Sequence, residues 1–206
     1  MPVRHVYEEL GLAHARGPVL LRQGLVQRLL EARARLGDGF DLVVLDGWRS
    51  LDLQRELVAH YSAGGAQTDG YVADPSGHED PPHTTGGAVD LTLTWQGAGL
   101  ALGTDYDDFT ERARPDSLEQ TEPGSTDAAL RRLLAQVLSA SGLAVHPLEW
   151  WHWSYGDAVW SAQTGAPVCY ALTGTQDAGA EPRDQTGARV SRTGAGSGPS
   201  RAVSPR

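Results

Sequence analysis

Two short stretches hold the residue types that do chemistry: His83-Thr84-Thr85-Gly86-Gly87-Ala88-Val89-Asp90 and, well downstream, Glu149-Trp150-Trp151-His152. Two imidazoles and one carboxylate make a three-ligand zinc set of catalytic type, with one coordination position left open. Such a site carries a net charge of about +1, enough to polarise a carbonyl and bring bound water toward a pKa of about 7. Glu149, three residues before His152 and not needed as a ligand, is the candidate general base. That spacing puts Glu149 and His152 together on a helical turn but on opposite faces of a regular strand, so a strand here requires a bulge or bend at its start. Gly86 and Gly87 suit backbone that turns sharply or approaches a metal closely. Taken singly, His83 reads as a loop histidine, Asp90 as an edge charge and Glu-Trp-Trp-His as an aromatic core strand with polar ends. Taken together they read as a zinc hydrolase.

The elements that must position these residues follow from periodicity. Leu20, Leu21, Leu25, Leu29 and Leu30 recur at helical spacing between Gly17-Pro18 and Gly37, which predicts a helix over 18–36. Phe40 to Leu45 is a short apolar run ending at Asp46-Gly47, a strand that delivers Trp48-Arg49-Ser50. Ser50 is placed to cap a helix through His60. Residues 63–82, rich in Gly, Asp and Pro, form a loop, and Gly86 to Trp95 alternates as a strand. A further helix is expected over 126–140, followed by strands near 143–146 and 150–155. Without regular βαβ alternation or a glycine-rich phosphate loop, this mixture predicts an α+β fold with a central antiparallel sheet and flanking helices.

With 206 residues and 40% hydrophobic content, the chain is long enough for one domain with a real core. A formal charge of −9 and no dense Lys/Arg cluster argue against a nucleic-acid partner. The acidic N-terminus lacks the apolar run of an export signal, and no stretch is apolar for long enough to span a membrane, so a cytoplasmic location is expected. Cys169 is the single cysteine, which excludes an intrachain disulfide framework and a cysteine-rich zinc site. The catalytic domain is expected over 1–173. Residues 174–206, mostly Gly, Ala, Ser, Thr, Pro and Arg, are expected to form a disordered tail.

His83-x6-Asp90 and Glu149-Trp150-Trp151-His152 together resemble the VanX-type D-alanyl-D-alanine dipeptidases, a zinc D,D-peptidase group that shares its fold with the hedgehog signalling domain. The resemblance runs from about residue 6 to residue 172. Asp46-Gly47-Trp48-Arg49-Ser50 is similar to that family's Asp-x-Tyr-Arg-Pro element, and Leu91-Thr92-Leu93 to its strand after the second ligand. Leu102-Gly103-Thr104-Asp105-Tyr106-Asp107 resembles its Met-Gly-Thr-x-Phe-Asp segment, and Ser154-Tyr155-Gly156-Asp157 with Trp160 also fits. The resemblance implies one zinc per chain on His83, Asp90 and His152, catalysis by Glu149 with Arg49 stabilising the oxyanion, and Asp107 receiving the substrate's free amino group. It implies hydrolysis of D-Ala-D-Ala, linked to glycopeptide resistance or to cell-wall turnover. Where the family often has a serine two residues before the first histidine, this chain has Pro81-Pro82, and its 63–82 loop carries an extra histidine, His78.

Two other functions fit the same fold. A D,D-carboxypeptidase acting on longer muropeptides would need an open cleft in place of an ammonium pocket. A non-catalytic zinc-binding module would have no need of a base at Glu149 or a guanidinium at Arg49.

Overall fold

The computed structural model describes residues 1–65, 70–77 and 79–174. His78 and, apart from Gly174, the expected tail lie outside them. Among the described residues five strands, β1 (Phe40–Asp46), β2 (Ala88–Trp95), β3 (Ala98–Gly99), β4 (Ala144–His146) and β5 (Glu149–Ser154), form one antiparallel sheet in the order β1-β2-β5-β4, with β3 pairing β2. The helices are α1 (Val6–Glu9), α2 (Gln23–Arg33), α3 (Leu51–Ala63), α4 (Ser117–Thr121), α5 (Thr126–Ser139) and α6 (Ala158–Thr164), with single 3₁₀ turns at Pro82–Thr85 and Glu111–Ala113. This is the α+β architecture expected from the sequence.

Alternation along β2 divides the molecule. Leu91 and Leu93 pair with Val44 and Leu42 of β1 and join Leu25 and Leu29 of α2 with Leu134, Val137 and Leu138 of α5 in one buried cluster. Each fully buried aliphatic side chain there contributes about 1.5–3 kcal/mol. The intervening β2 residues, Asp90 and Thr92, face the other way. A register shift after Val44 then changes the face of β1, so that Asp46 sits opposite Asp90 instead of continuing the apolar row. A second shift, between Val145 and His146, pairs Glu149 with His146 while His152 pairs with Asp90 of β2. That irregularity is the bend the Glu149–His152 spacing demands.

Ser50 caps α3 as expected, its hydroxyl accepting the Leu53 N–H at 3.1 Å. The helix expected over 18–36 is shorter, because tertiary pairing overrides periodicity at its start. Leu20 C=O accepts from Trp48 N at 2.8 Å, and Arg22 N donates to Gly86 O at 2.9 Å, which holds residues 18–22 extended against the site. Gly47 makes that approach feasible: a Cβ there would meet Val19 Cγ1 at 2.6 Å and Leu20 O at 2.7 Å. At the N-terminus Val3 bridges Val44 in parallel, and this places α1 so that Tyr7 is buried.

Candidate metal centre and substrate pocket

Asp90 and His152 are direct partners across β2 and β5, so the sheet ladder itself brings their side chains together. His83 comes from the Pro82–Thr85 turn immediately before β2, closed by Gly86 in a left-handed conformation with φ 73°. All three side chains are buried. His83 Nε2 lies 3.0 Å from His152 Nδ1 and 3.2 Å from Asp90 Oδ1, and His152 Nδ1 lies 3.1 Å from the same oxygen.

Hydrogen bonds on the far side of each ring assign the tautomers. Gly47 O can only accept, so His83 Nδ1–H donates to it at 2.7 Å; His152 Nε2 lies 3.3 Å from Ser154 Oγ, which accepts from it when Nδ1 is the ligand nitrogen. Two imidazole lone pairs and Asp90 Oδ1, which is buried without a hydrogen-bond partner among the described residues, therefore converge on one point. Without a cation such an arrangement is repulsive; a metal ion with N/O preference fits it, and the separations are close to the roughly 3.3 Å that a tetrahedral ion with bonds of about 2.0–2.1 Å requires. Burial would raise the Asp90 pKa, but positive charge and N–H donors at His83 and His152, when those rings are protonated, outweigh it and hold the carboxyl well below its ordinary value; a bound cation would take the place of those protons. Burial lowers the pKa of His152, favouring the neutral ring that a ligand must be.

The other predicted residues surround the same cavity, which has a volume of about 570 Å³. The Glu149 carboxyl makes no hydrogen bond among the described residues; its Oε2 lies 3.7 Å from His152 Nδ1 and 3.5 Å from His146 Nδ1. Burial, then the charges of Asp90 and Asp107, push its pKa well above that of an ordinary carboxylate, the environment of a proton acceptor. Asp90 and Glu149 thus share a site but are driven apart, one toward a permanent anion and one toward exchange.

Arg49 donates Nε–H to Asp46 at 2.5 Å, Nη1–H to Gln54 Oε1 at 3.3 Å, and Nη2–H to Tyr7 Oη at 3.0 Å and Asp90 Oδ2 at 3.2 Å. Burial acts to lower its pKa, but Tyr7, Asp46, Tyr106 and Asp90 more than offset that and keep the guanidinium charged. Of five guanidinium N–H groups, one on Nη1 has no partner among the described residues and is left for a ligand. Asp107, with φ 59°, turns its Oδ2 toward two phenols, accepting from Tyr61 at 2.5 Å and Tyr7 at 3.0 Å. Burial raises its pKa to about 7. Tyr106 Oη donates to Asp90 Oδ2 at 2.7 Å and lies 2.7 Å from Tyr7 Oη, linking the donor triangle to the Asp107 wall.

All six residues singled out in the sequence therefore meet around one cavity. Sequence reasoning missed Tyr7, Tyr61, Gln54 and His146, which also line it. Tyr7 and Tyr61 come from α1 and α3 with no spacing that ties them to either motif; the Asp46-x-x-Arg49 pair was the one local signal of a buried ion pair.

Comparison with known proteins gives a consistent picture. A family model for the M15 peptidases, described as D-ala-D-ala dipeptidase, matches residues 18–168. A D-alanyl-D-alanine dipeptidase of Synechocystis sp. is 30% identical over 194 aligned positions, covering 77% of this chain and 78% of the relative. One of Streptomyces coelicolor is 31% identical over 151 positions, covering 64% of this chain and 71% of the relative, and one of Enterococcus faecalis is 32% identical over 92 positions, covering 44% and 42%.

Proposed function

The chain belongs to the D-ala-D-ala dipeptidase family of M15 peptidases, and from that premise we propose that it is a zinc-dependent enzyme hydrolysing D-Ala-D-Ala to two D-alanines. The observation that carries this reading is the buried triangle of His83 Nε2, Asp90 Oδ1 and His152 Nδ1, with a hydrogen-bond-free Glu149 carboxyl beside it. Those three atoms would hold the ion, and two imidazoles with one carboxylate is a donor set that suits zinc. When bound, zinc supplies Lewis-acid polarisation of the scissile carbonyl and acidifies the attacking water.

The chain's own groups do the rest. Glu149 removes a proton from the attacking water, and the same carboxyl returns it to the amine as the C–N bond breaks. The remaining Nη1–H of Arg49 stabilises charge on the carbonyl oxygen as it becomes tetrahedral. Asp107, steadied by Tyr61 and Tyr7, pairs with the substrate ammonium; a longer or blocked peptide would leave that half-buried carboxylate without a counter-charge. No helix among the described residues is long and apolar enough to cross a membrane. We place the activity in the cytoplasm, where hydrolysis would drain D-Ala-D-Ala from cell-wall precursor synthesis, as in glycopeptide resistance, or recover D-alanine from wall turnover.

The test is D-alanine release from D-Ala-D-Ala by metal-quantified protein, with L-Ala-L-Ala and a cell-wall pentapeptide alongside. Release from the free D,D-dipeptide is expected. Release from the pentapeptide alone would replace this reading with a D,D-carboxypeptidase.

A further inference from the structure

Residues 102–114 carry Tyr106, Asp107 and Phe109 to the site on backbone that does not hold itself in place. Leu102 (φ 48°), Gly103 (φ 95°) and Asp107 (φ 59°) are all left-handed, and two of the three have a Cβ. Such strain persists only where the surroundings over-determine the conformation. The start of the segment is pressed against α4 and α5: a Cβ on Gly103 would meet Leu118 Cδ1 at 2.9 Å and Asp127 Cβ at 3.3 Å. Further along, the Phe109 ring packs on Tyr61, whose hydroxyl donates to Asp107, with ring centroids 4.8 Å apart.

One side chain grips both ends of this segment. Arg131, on α5 and only 5% exposed, donates Nε–H to Leu102 O at 2.8 Å and Nη1–H groups to Arg112 O at 3.0 Å and Arg114 O at 2.8 Å. Arg112 O and Arg114 O have a second partner in Ser117, whereas Leu102 O has no other among the described residues. No carboxylate pairs with Arg131 among those residues, its Nη2 is buried without a hydrogen-bond partner there, and burial, then the charge of Arg112, lowers its pKa to about 10. The Trp150 ring, 5.6 Å from Cζ, offsets part of that cost. Buried charged groups can often be replaced by apolar side chains with little loss of stability, so packing alone does not account for a cation here. What a guanidinium adds is a rigid fork of donors that reaches both ends of the segment at once.

We propose that Arg131 is a positioning residue for substrate recognition: by closing residues 102–114 at both ends it sets where Asp107 meets the substrate ammonium. Arg131 does not line the cavity and acts through Asp107. The inference rests on the dipeptidase reading above and on the role given there to Asp107.

The test measures kcat and KM for D-Ala-D-Ala on zinc-loaded full-length protein carrying Arg131→Met or Arg131→Lys, each with and without Asp107→Asn. Arg131→Met should raise KM by about tenfold, as a remote displacement of a binding group does, with kcat and zinc content near those of wild type. On the Asp107→Asn background the same substitution should add nothing, because two changes that act through one contact are not additive. Arg131→Lys, whose ammonium reaches one end of the segment but not both, should fall between wild type and Arg131→Met. If Arg131→Met is not recovered folded, Arg131→Lys is read in its place, with a smaller KM rise that again vanishes on the Asp107→Asn background. An unchanged KM, or a rise undiminished by Asp107→Asn, overturns the proposal. Wild type that leaves D-Ala-D-Ala intact overturns the dipeptidase reading and this role with it.

Discussion

The donor triangle and the Asp107 wall share the Tyr106–Asp90 hydrogen bond, yet they are built on different principles. Asp90 and His152 are neighbours in a sheet ladder and His83 sits on a turn fused to β2, so backbone hydrogen bonds fix three donors near 3 Å apart. Asp107 stands in a left-handed turn, a conformation that costs about 1–3 kcal/mol in a residue with a Cβ, and its carboxyl is held by phenols from α1 and α3. The first region is preorganised by register and the second by side-chain hydrogen bonds. On the function proposed above, chemistry that tolerates no misplacement would lie on the sheet, and recognition, where the ligand itself adds the last contact, on the turn and helices.

The widest separation between the two regions should come from Glu149→Ala. It removes a proton acceptor next to the triangle without touching a donor atom, so kcat should fall by about 10²–10⁴ with zinc content unchanged. Turnover measured on metal-quantified protein checks this. Loss of zinc in the variant would erase the distinction between base and ligand.

Asp107→Asn should act on binding instead. Loss of one charge-assisted hydrogen bond, worth about 1.5–3 kcal/mol, should raise KM for the free dipeptide by roughly ten- to a hundredfold and leave kcat much less affected. An N-acetylated dipeptide, lacking the ammonium, should bind wild type and variant equally. The same residue gives a pH dependence whose sign follows from its raised pKa. Below about 7 the Asp107 carboxyl is protonated and offers the ammonium no charge; above 7 it is ionised. The advantage of wild type over Asp107→Asn in kcat/KM should therefore be full above pH 8 and fade as pH falls through 7, which a pair of pH profiles would show. A constant ratio across that range would mean that Asp107 does not meet the substrate amine.

The two regions also differed in how legible they were. Glu149 and His152, and His83 and Asp90, each lie within eight residues of one another. Metal-ligand chemistry constrains such spacings, so the sequence carried them, and even the bend before His152 followed from strand periodicity. The Asp107 wall draws on Tyr7 and Tyr61, 54 residues apart, and a lone tyrosine has no spacing to announce a role. Face changes were equally hidden. Alternation in β1 would carry Asp46 into the apolar row of Leu42 and Val44, and only the shift after Val44 turns it toward Asp90. The overlong helix at 18–36 failed for a related reason: leucine periodicity was present, but residues 18–22 are held by Trp48 and Gly86, partners that no local pattern names.

The smallest expected effect probes whether register alone secures the triangle. His152 receives its orientation from β5, but its outer nitrogen also meets Ser154 Oγ at 3.3 Å, one strand repeat along the same face. Ser154 and the Asp157 carboxyl beyond it are both fully buried; burial raises the Asp157 pKa, while the Trp160 N–H and the Ser154 hydroxyl act to lower it. Asp157 also caps α6 by accepting the Trp160 N–H at 2.9 Å. The relay therefore ties a ligand's tautomer to a helix start behind the sheet. In Ser154→Ala the His152 Nε2–H loses its acceptor, and the tautomer that presents Nδ1 to the metal is no longer favoured. Zinc affinity, measured by competition with a chromophoric chelator, should drop about tenfold, the low end for an outer-shell partner because the contact is long. Catalysis at saturating zinc should survive, since neither Glu149 nor Arg49 touches Ser154. An affinity equal to that of wild type would show that the sheet ladder fixes the ligands unaided and that the relay serves only the start of α6.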